Sequence, residues 1–94
     1  MKEIFYSNHL EFRLTLREIP YSLPKKIYET AKERYVDKAT LKYVAVKRVR
    51  FKNKLREMVV VYEEHQDFVT LITIHPLKVY QKITRRHSAR WQRL

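Results

Sequence analysis

Three runs dominated by Val, Ile, Tyr and Phe, from Tyr43 to Phe51, Leu55 to Glu63 and Phe68 to Ile74, follow one another with only short polar breaks between them. Runs of this length rich in β-branched and aromatic residues are strand formers. Breaks of a few residues cannot carry a crossover, so each strand must turn back on the one before it, and the pattern predicts a three-stranded antiparallel meander. Asn53 and the Glu64-His65-Gln66-Asp67 segment supply the turns. In the first run the apolar parity moves from Val44 and Val46 to Val49 and Phe51, which predicts a bulge near Lys47 and Arg48. The chain has no glycine, so positions of positive φ fall to other residues.

Ahead of the meander, residues 24 to 35 place Ile27, Tyr28, Ala31 and Tyr35 on one helical face, with Ser22 as a cap and Pro24 in the first turn. Residues 8 to 18 carry two patterns. Leu10, Phe12, Leu14 and Leu16 alternate as in a strand, whereas Asn8 and Glu11 have capping-box spacing and Pro20 closes the segment. As a helix, it would set His9, Arg13 and Arg17 in one polar stripe and leave Leu10/Leu14 and Phe12/Leu16 on separate flanks, so it would need burial on two sides. After Pro76 the pattern suits a helix to about Arg86 and an irregular end.

Ninety-four residues make one domain, too small for a multidomain enzyme. The absence of cysteine excludes disulfides and thiolate zinc sites. The four histidines are scattered, the acids form no pair beyond Glu63-Glu64, and no glycine-rich phosphate loop exists, so neither a metal nor a nucleotide cofactor is expected. The longest apolar stretch, Met58 to Tyr62, is far short of a bilayer span, and the start of the chain does not read as a signal peptide. A cytoplasmic protein is expected, with no membrane partner.

The chain holds 21 Lys and Arg against 10 Asp and Glu, a net charge of +11, which makes a polyanion the default partner. That charge is uneven: residues 1–40 carry +2 and residues 41–94 carry +9. Two segments, 41–54 and 75–94, contain no acid at all. The expected binding face is therefore the sheet and the C-terminal segment.

The order of two helices, a meander and a basic C-terminal segment resembles the RelE/ParE toxin superfamily, with BrnT-like and related small families as near relatives. The resemblance is carried by Ser7-Asn8-His9, Arg13, Arg17 with Ile19-Pro20, Val59-Val60-Val61-Tyr62 and Leu71-Ile72-Thr73-Ile74-His75-Pro76. Similar toxins open with Ser-x-His and Arg at four-residue steps, and that spacing selects helix for residues 8 to 18. The fold expected is then α+β, with two N-terminal helices packed on a three- to four-stranded antiparallel sheet and a basic C-terminal segment. The resemblance implies a type II toxin that cleaves RNA without a metal and pairs with an acidic antitoxin protein; related members without nuclease activity keep the fold.

Metal-free RNA cleavage requires a base for the ribose 2′-hydroxyl, cations for the charged phosphorane and a proton for the leaving oxygen. Arg48, Arg50 and Lys52 share one strand face if the strand runs through them, with Arg50 and Lys52 as the phosphate clamp, although a solvated basic face explains them equally. His75, between the last strand and Pro76, is the candidate for proton transfer. His9 with Arg13 forms a possible second acid/base group. Lys47, Arg48, Lys78, Tyr80, Lys82, Arg85, Arg86 and Arg90 are the candidates for nucleic-acid binding. Tyr62 is a further candidate for base stacking, with a core role as the alternative. A non-catalytic nucleic-acid-binding protein and an inhibitor of an acidic protein remain as other readings.

Overall fold

The computed structural model describes residues 2–94, with the side chains of Val79 and Tyr80 outside the described residues. The elements run β1 (Glu3–Tyr6), α1 (Asn8–Leu16), α2 (Leu23–Thr30), β2 (Glu33–Asp37), β3 (Tyr43–Phe51), β4 (Lys54–Glu64), β5 (Phe68–Pro76), α3 (Val79–His87) and β6 (Trp91–Arg93). They build an α+β domain on one six-stranded sheet of order β1-β5-β4-β3-β2-β6. The meander β3-β4-β5 is its centre and is antiparallel throughout. The sheet as a whole is mixed, since β1 pairs in parallel with β5 from Glu3↔Phe68 to Tyr6↔Leu71.

Three strands thus extend the expected sheet. β1 has half-buried Ile4 and Tyr6 alternating with exposed Glu3 and Phe5, too short a signal to stand out from the sequence. β2 corrects the expected helix over 24 to 35. That helix stops at Thr30, and Tyr35 lies wholly buried on a strand instead, its ring tilted against Trp91 of β6 with centroids 5.1 Å apart. The spacing of Ile27, Ala31 and Tyr35 fits both outcomes, and the sheet position wins because it buries a large aromatic and completes ladders to β3 and β6.

No bulge interrupts β3 at Lys47 and Arg48, where the register to β4 is continuous from Tyr43 to Phe51. The mixed parity has another cause: the middle of the sheet is covered on both faces, so Val44, Ala45 and Val46 are all buried. The irregularity sits instead between Val61 and Tyr62, in the pairing of β4 with β5. Ala45, Val49, Met58, Val60, Tyr62, Leu71 and Ile74 pack under α1 and α2. Val44, Val46 and Val59 pack on the opposite face with Tyr35, Leu77 and Trp91. Tyr62 is 1% exposed and part of the core, which removes it as a base-stacking surface.

α1 begins after Ser7, whose hydroxyl accepts from Leu10 N at 3.0 Å and donates to Ile72 O at 2.8 Å, so the cap is Ser7 rather than Asn8. Such a cap contributes about 1 kcal/mol. Leu10 and Leu14, fully inside, contribute about 1.5–3 kcal/mol each and dominate. Only this flank is buried: Phe12 and Leu16 are 64% and 66% exposed. The burial leaves Arg13 and Arg17 half-covered along β5, on which α1 packs.

Without glycine, five other residues take positive φ: Glu18, Leu41, Lys52, Asn53 and Ala89. Lys52 (51°) and Asn53 (63°) form the two-residue turn of the β3-β4 hairpin, with positive φ at both centres as a type I′ turn requires. The left-handed conformation costs a non-glycine residue such as Lys52 about 1 kcal/mol. Among the described residues, no helix is long and apolar enough to cross a membrane.

Candidate nucleic-acid interface

His75 stands near the C-terminal end of β5, opposite Val59 in the ladder. Cross-strand partners share a face, so its imidazole belongs to the face away from α1 and α2. The β1 ladder has ended at Leu71, which leaves this end of β5 without a strand on its outer side among the described residues. Burial pushes the imidazole down to a pKa of about 4, and the positive charges of Arg85, Arg17 and Arg13 add to the effect. Arginines of α1 and α3 thus act through their charge on a half-buried histidine. None of these three has a carboxylate within ion-pair distance among the described residues. Arg85 lies over the Trp91 ring at 5.1 Å, which orients its guanidinium without neutralising it.

Two clefts flank Pro76, the residue after His75. The first, about 480 Å³, is lined by Arg48, Leu55, Arg56, Glu57, Pro76, Leu77 and Lys78. The second, about 420 Å³, is lined by Arg17, Ile19, Phe51, Lys52, Arg56 and Pro76. Arg56 and Pro76 belong to both, so the clefts form one basic groove around the free end of the β4-β5 ladder. Its one acid, Glu57, hydrogen-bonds Lys82 at 3.0 Å.

Other cations are engaged in the fold. Lys82 of α3 meets Glu33 Oε2 of β2 at 2.7 Å and Glu57 Oε2 of β4 at 3.0 Å, pinning the helix across the sheet. Burial alone would lower Lys82, but these two carboxylates hold it above its usual value. Burial alone would raise Glu33, and hydrogen bonds from Lys82 and Tyr35 keep it below the usual range. Arg90 Nε donates to both oxygens of Asp37, at 3.1 and 3.2 Å, and closes the C-terminal strand onto β2. Burial would raise Asp37 too, but the Arg90 hydrogen bond overrides it.

The candidates named from the sequence divide accordingly. The charges of Arg13 and Arg85 act on His75, and Arg48, Lys52 and Lys78 line the two clefts at Pro76. Lys52 does so from the hairpin turn, not from a strand face shared with Arg48 and Arg50. Arg50 is exposed opposite Leu55 and lines neither cleft, so the expected Arg50-Lys52 clamp does not form. Lys47 faces Met58 on the α1 and α2 side of the sheet. Arg86 lies on the exposed side of α3, beside Lys82, Ile83 and His87. His9 is exposed on α1 and is not among the groups whose charge acts on His75. Lys82 and Arg90 serve ion pairs, and the Tyr80 side chain lies outside the described residues.

Arg17 and Arg56 are the site residues that sequence reasoning passed over. Arg17 was visible as the end of the stripe His9-Arg13-Arg17 and as one of the residues that carry the resemblance, not as a site residue. Arg56 gave no signal, since it opens a strand whose function-bearing neighbours come from α1 and β5.

Among the described residues, no three His, Asp or Glu side chains gather as a metal-ligand group. Comparison with family models, with curated proteins and with solved structures gives no match.

Proposed function

We propose that this chain is a RelE/ParE-like, metal-independent endoribonuclease of the cytoplasm, with His75 as general base and Arg13, Arg17 and Arg85 holding the scissile phosphate. The observation that supports the reading is a half-buried imidazole that feels the charge of three arginines without carboxylate partners among the described residues, one residue before the Pro76 that lines two basic clefts. In the reaction His75 takes the proton of the ribose 2′-hydroxyl, and the 2′-oxygen attacks phosphorus. The arginines stabilise the phosphorane, the bond to the 5′-oxygen breaks, and that oxygen leaves with the proton from the imidazolium. A pKa near 4 makes a weak base in the free protein. The phosphate itself offsets the arginine charges and raises the imidazole's basicity in the complex. Arg48, Lys52, Arg56 and Lys78 guide the flanking strand, and an acidic antitoxin would neutralise the same groove.

The test is incubation of single-stranded RNA with the protein in EDTA, beside His75→Gln and a DNA of the same sequence. Discrete fragments ending in 2′,3′-cyclic phosphate are expected from wild type with RNA alone. A second reading, a nucleic-acid-binding protein without catalysis, is favoured because among the described residues no second histidine lines the groove. Uncut RNA whose affinity falls steeply with salt would establish that second reading instead.

A further inference from the structure

β1 is an open edge of the sheet, and the phase of its hydrogen bonds decides what it offers. Glu3 N donates to Asp67 O at 3.3 Å and Ser7 N to Leu71 O at 3.0 Å, so Glu3, Phe5 and Ser7 direct their backbone groups at β5. Backbone groups alternate in direction along a strand. Ile4 and Tyr6 therefore aim theirs outwards, where no further strand pairs with them among the described residues. A cleft of about 470 Å³ follows this edge, lined by Ile4, Phe5 and Tyr6 with Glu11, Tyr21 and Lys25 on its walls. Consecutive strand residues face opposite sides of a sheet, so three of them share a cleft only where it opens along the backbone itself. Exposed aromatic rings flank it on both faces. Tyr21 lies 4.7 Å from the Tyr6 ring on the side of the helices, and Phe5, 49% exposed, meets Phe68 edge-on at 5.7 Å on the other.

We infer that β1 is a self-association edge, on which a second copy of this chain adds its own β1 antiparallel, about a two-fold axis at Phe5. In that register Ile4 pairs with Tyr6 of the second copy and Tyr6 with its Ile4. Each pair exchanges two hydrogen bonds, so every outward backbone group of both residues is used. Phe5 falls opposite Phe5 of the second copy in a non-hydrogen-bonded pair, the closest approach that an antiparallel ladder gives two side chains. Charge selects the occupant. The chain carries +11, yet Glu3, Glu11, Glu64 and Asp67 stand around this edge against Lys2 and Lys25. A nucleic acid or an acidic protein is repelled there, whereas two copies of a strongly basic chain can approach where their cations are fewest. The register also sets Glu3 opposite Ser7 and Lys2 opposite Asn8, so no like charges meet across the ladder. Other edges of the sheet offer less: the uncovered end of β5 carries Pro76, which has no N–H, and β6 is three residues long. Neither cleft at Pro76 shares a lining residue with this edge, so the association stands apart from the proposed function.

The experiment is analytical ultracentrifugation of the full chain over a concentration series, in which the mass is expected to rise from one chain towards two. Ile4→Pro removes an N–H that the fold itself leaves unpaired, and two-fold symmetry deletes it twice. It should weaken the dimer at least about tenfold beyond Ile4→Ala, which truncates the same side chain and keeps the donor, with thermal melting to confirm that both variants fold. Cross-linking reads the register, since the chain has no cysteine of its own. Under mild oxidation Phe5→Cys is expected to give a covalent dimer, because a non-hydrogen-bonded pair holds its Cα atoms about 4.5 Å apart, within disulfide reach. Glu3→Cys, whose two copies stand four residues apart along the ladder, is expected to remain a single chain. A single-chain mass at every concentration overturns the inference and leaves the edge to a strand of another protein. A dimer as tight in Ile4→Pro as in Ile4→Ala overturns it by placing the contact elsewhere, and so does cross-linking of Glu3→Cys as fast as of Phe5→Cys.

Discussion

Two sets of cations in one small chain are handled in opposite ways. Lys82 and Arg90 reach acids on other elements, Glu33 and Glu57 in one case and Asp37 in the other, and each fastens a C-terminal element to the sheet. Arg17, Arg48, Lys52 and Arg56 line the clefts beside Pro76 and Arg13 and Arg85 act on His75, none of the six in an ion pair among the described residues. Mutual repulsion makes the second arrangement unfavourable in the isolated protein, and a bound polyanion relieves it. The first set fastens the C-terminal segment to the sheet, and the second is the charge that the proposed RNA would neutralise.

Substitutions should separate the two sets. The largest effect belongs to His75→Gln, which should lower the rate of RNA cleavage at least about a hundredfold with little change in RNA affinity. Equal loss of rate and affinity would mean that the imidazole binds rather than catalyses. Lys82→Met lies on the other side of the comparison. It leaves Glu33 and Glu57 partly buried and unpaired, so chemical denaturation should show a loss of about 2 kcal/mol, less than for a fully buried pair because these groups keep about a fifth of their exposure. Its RNA affinity should stay within about twofold, the size of one exposed charge.

Acid titration gives a smaller effect of fixed sign. The folded pKa of His75, about 4, lies below its ordinary value of 6.5, so the unfolded chain takes up the proton first. That contribution is whole above pH 6.5 and is lost as pH falls towards 4, on the order of 2 kcal/mol after allowing for partial solvation. Glu33 and Asp37, held below their ordinary values, lose theirs at still lower pH. Thermal melting of His75→Gln should be flat between pH 6.5 and 5 where wild type declines. The smallest effect is expected at Leu41, exposed and at a φ of 62°, where Leu41→Gly should raise stability by about 1 kcal/mol without touching the groove.

The legible parts of this molecule were those decided locally. The strands of the meander, the turn at Asn53 and the helix after Pro76 follow from side-chain type and spacing over a few residues. β1, β2 and β6 were not legible because their identity rests on partners far along the chain: β1 on β5, and β2 on β3 and β6. Tyr35 shows the difficulty, since its position extends a helical spacing and yet its burial comes from Trp91. The groove divides in the same way. His75 could be read from its place at a strand end, but Arg17 comes to share a cleft with Arg56 only when α1 and the β3-β4 hairpin meet. Sequence likewise could not tell that Lys82 and Arg90 are paired, because Glu33, Glu57 and Asp37 lie in other segments.

The partition of cations is tested most directly by the salt dependence of single-stranded RNA binding. Six cations engaging phosphates predict a log–log slope of about −4, and Arg17→Gln with Arg56→Gln should bring it to about −3, while Lys82→Gln leaves it unchanged. A slope that falls with Lys82→Gln and stays constant in the double variant would contradict the account.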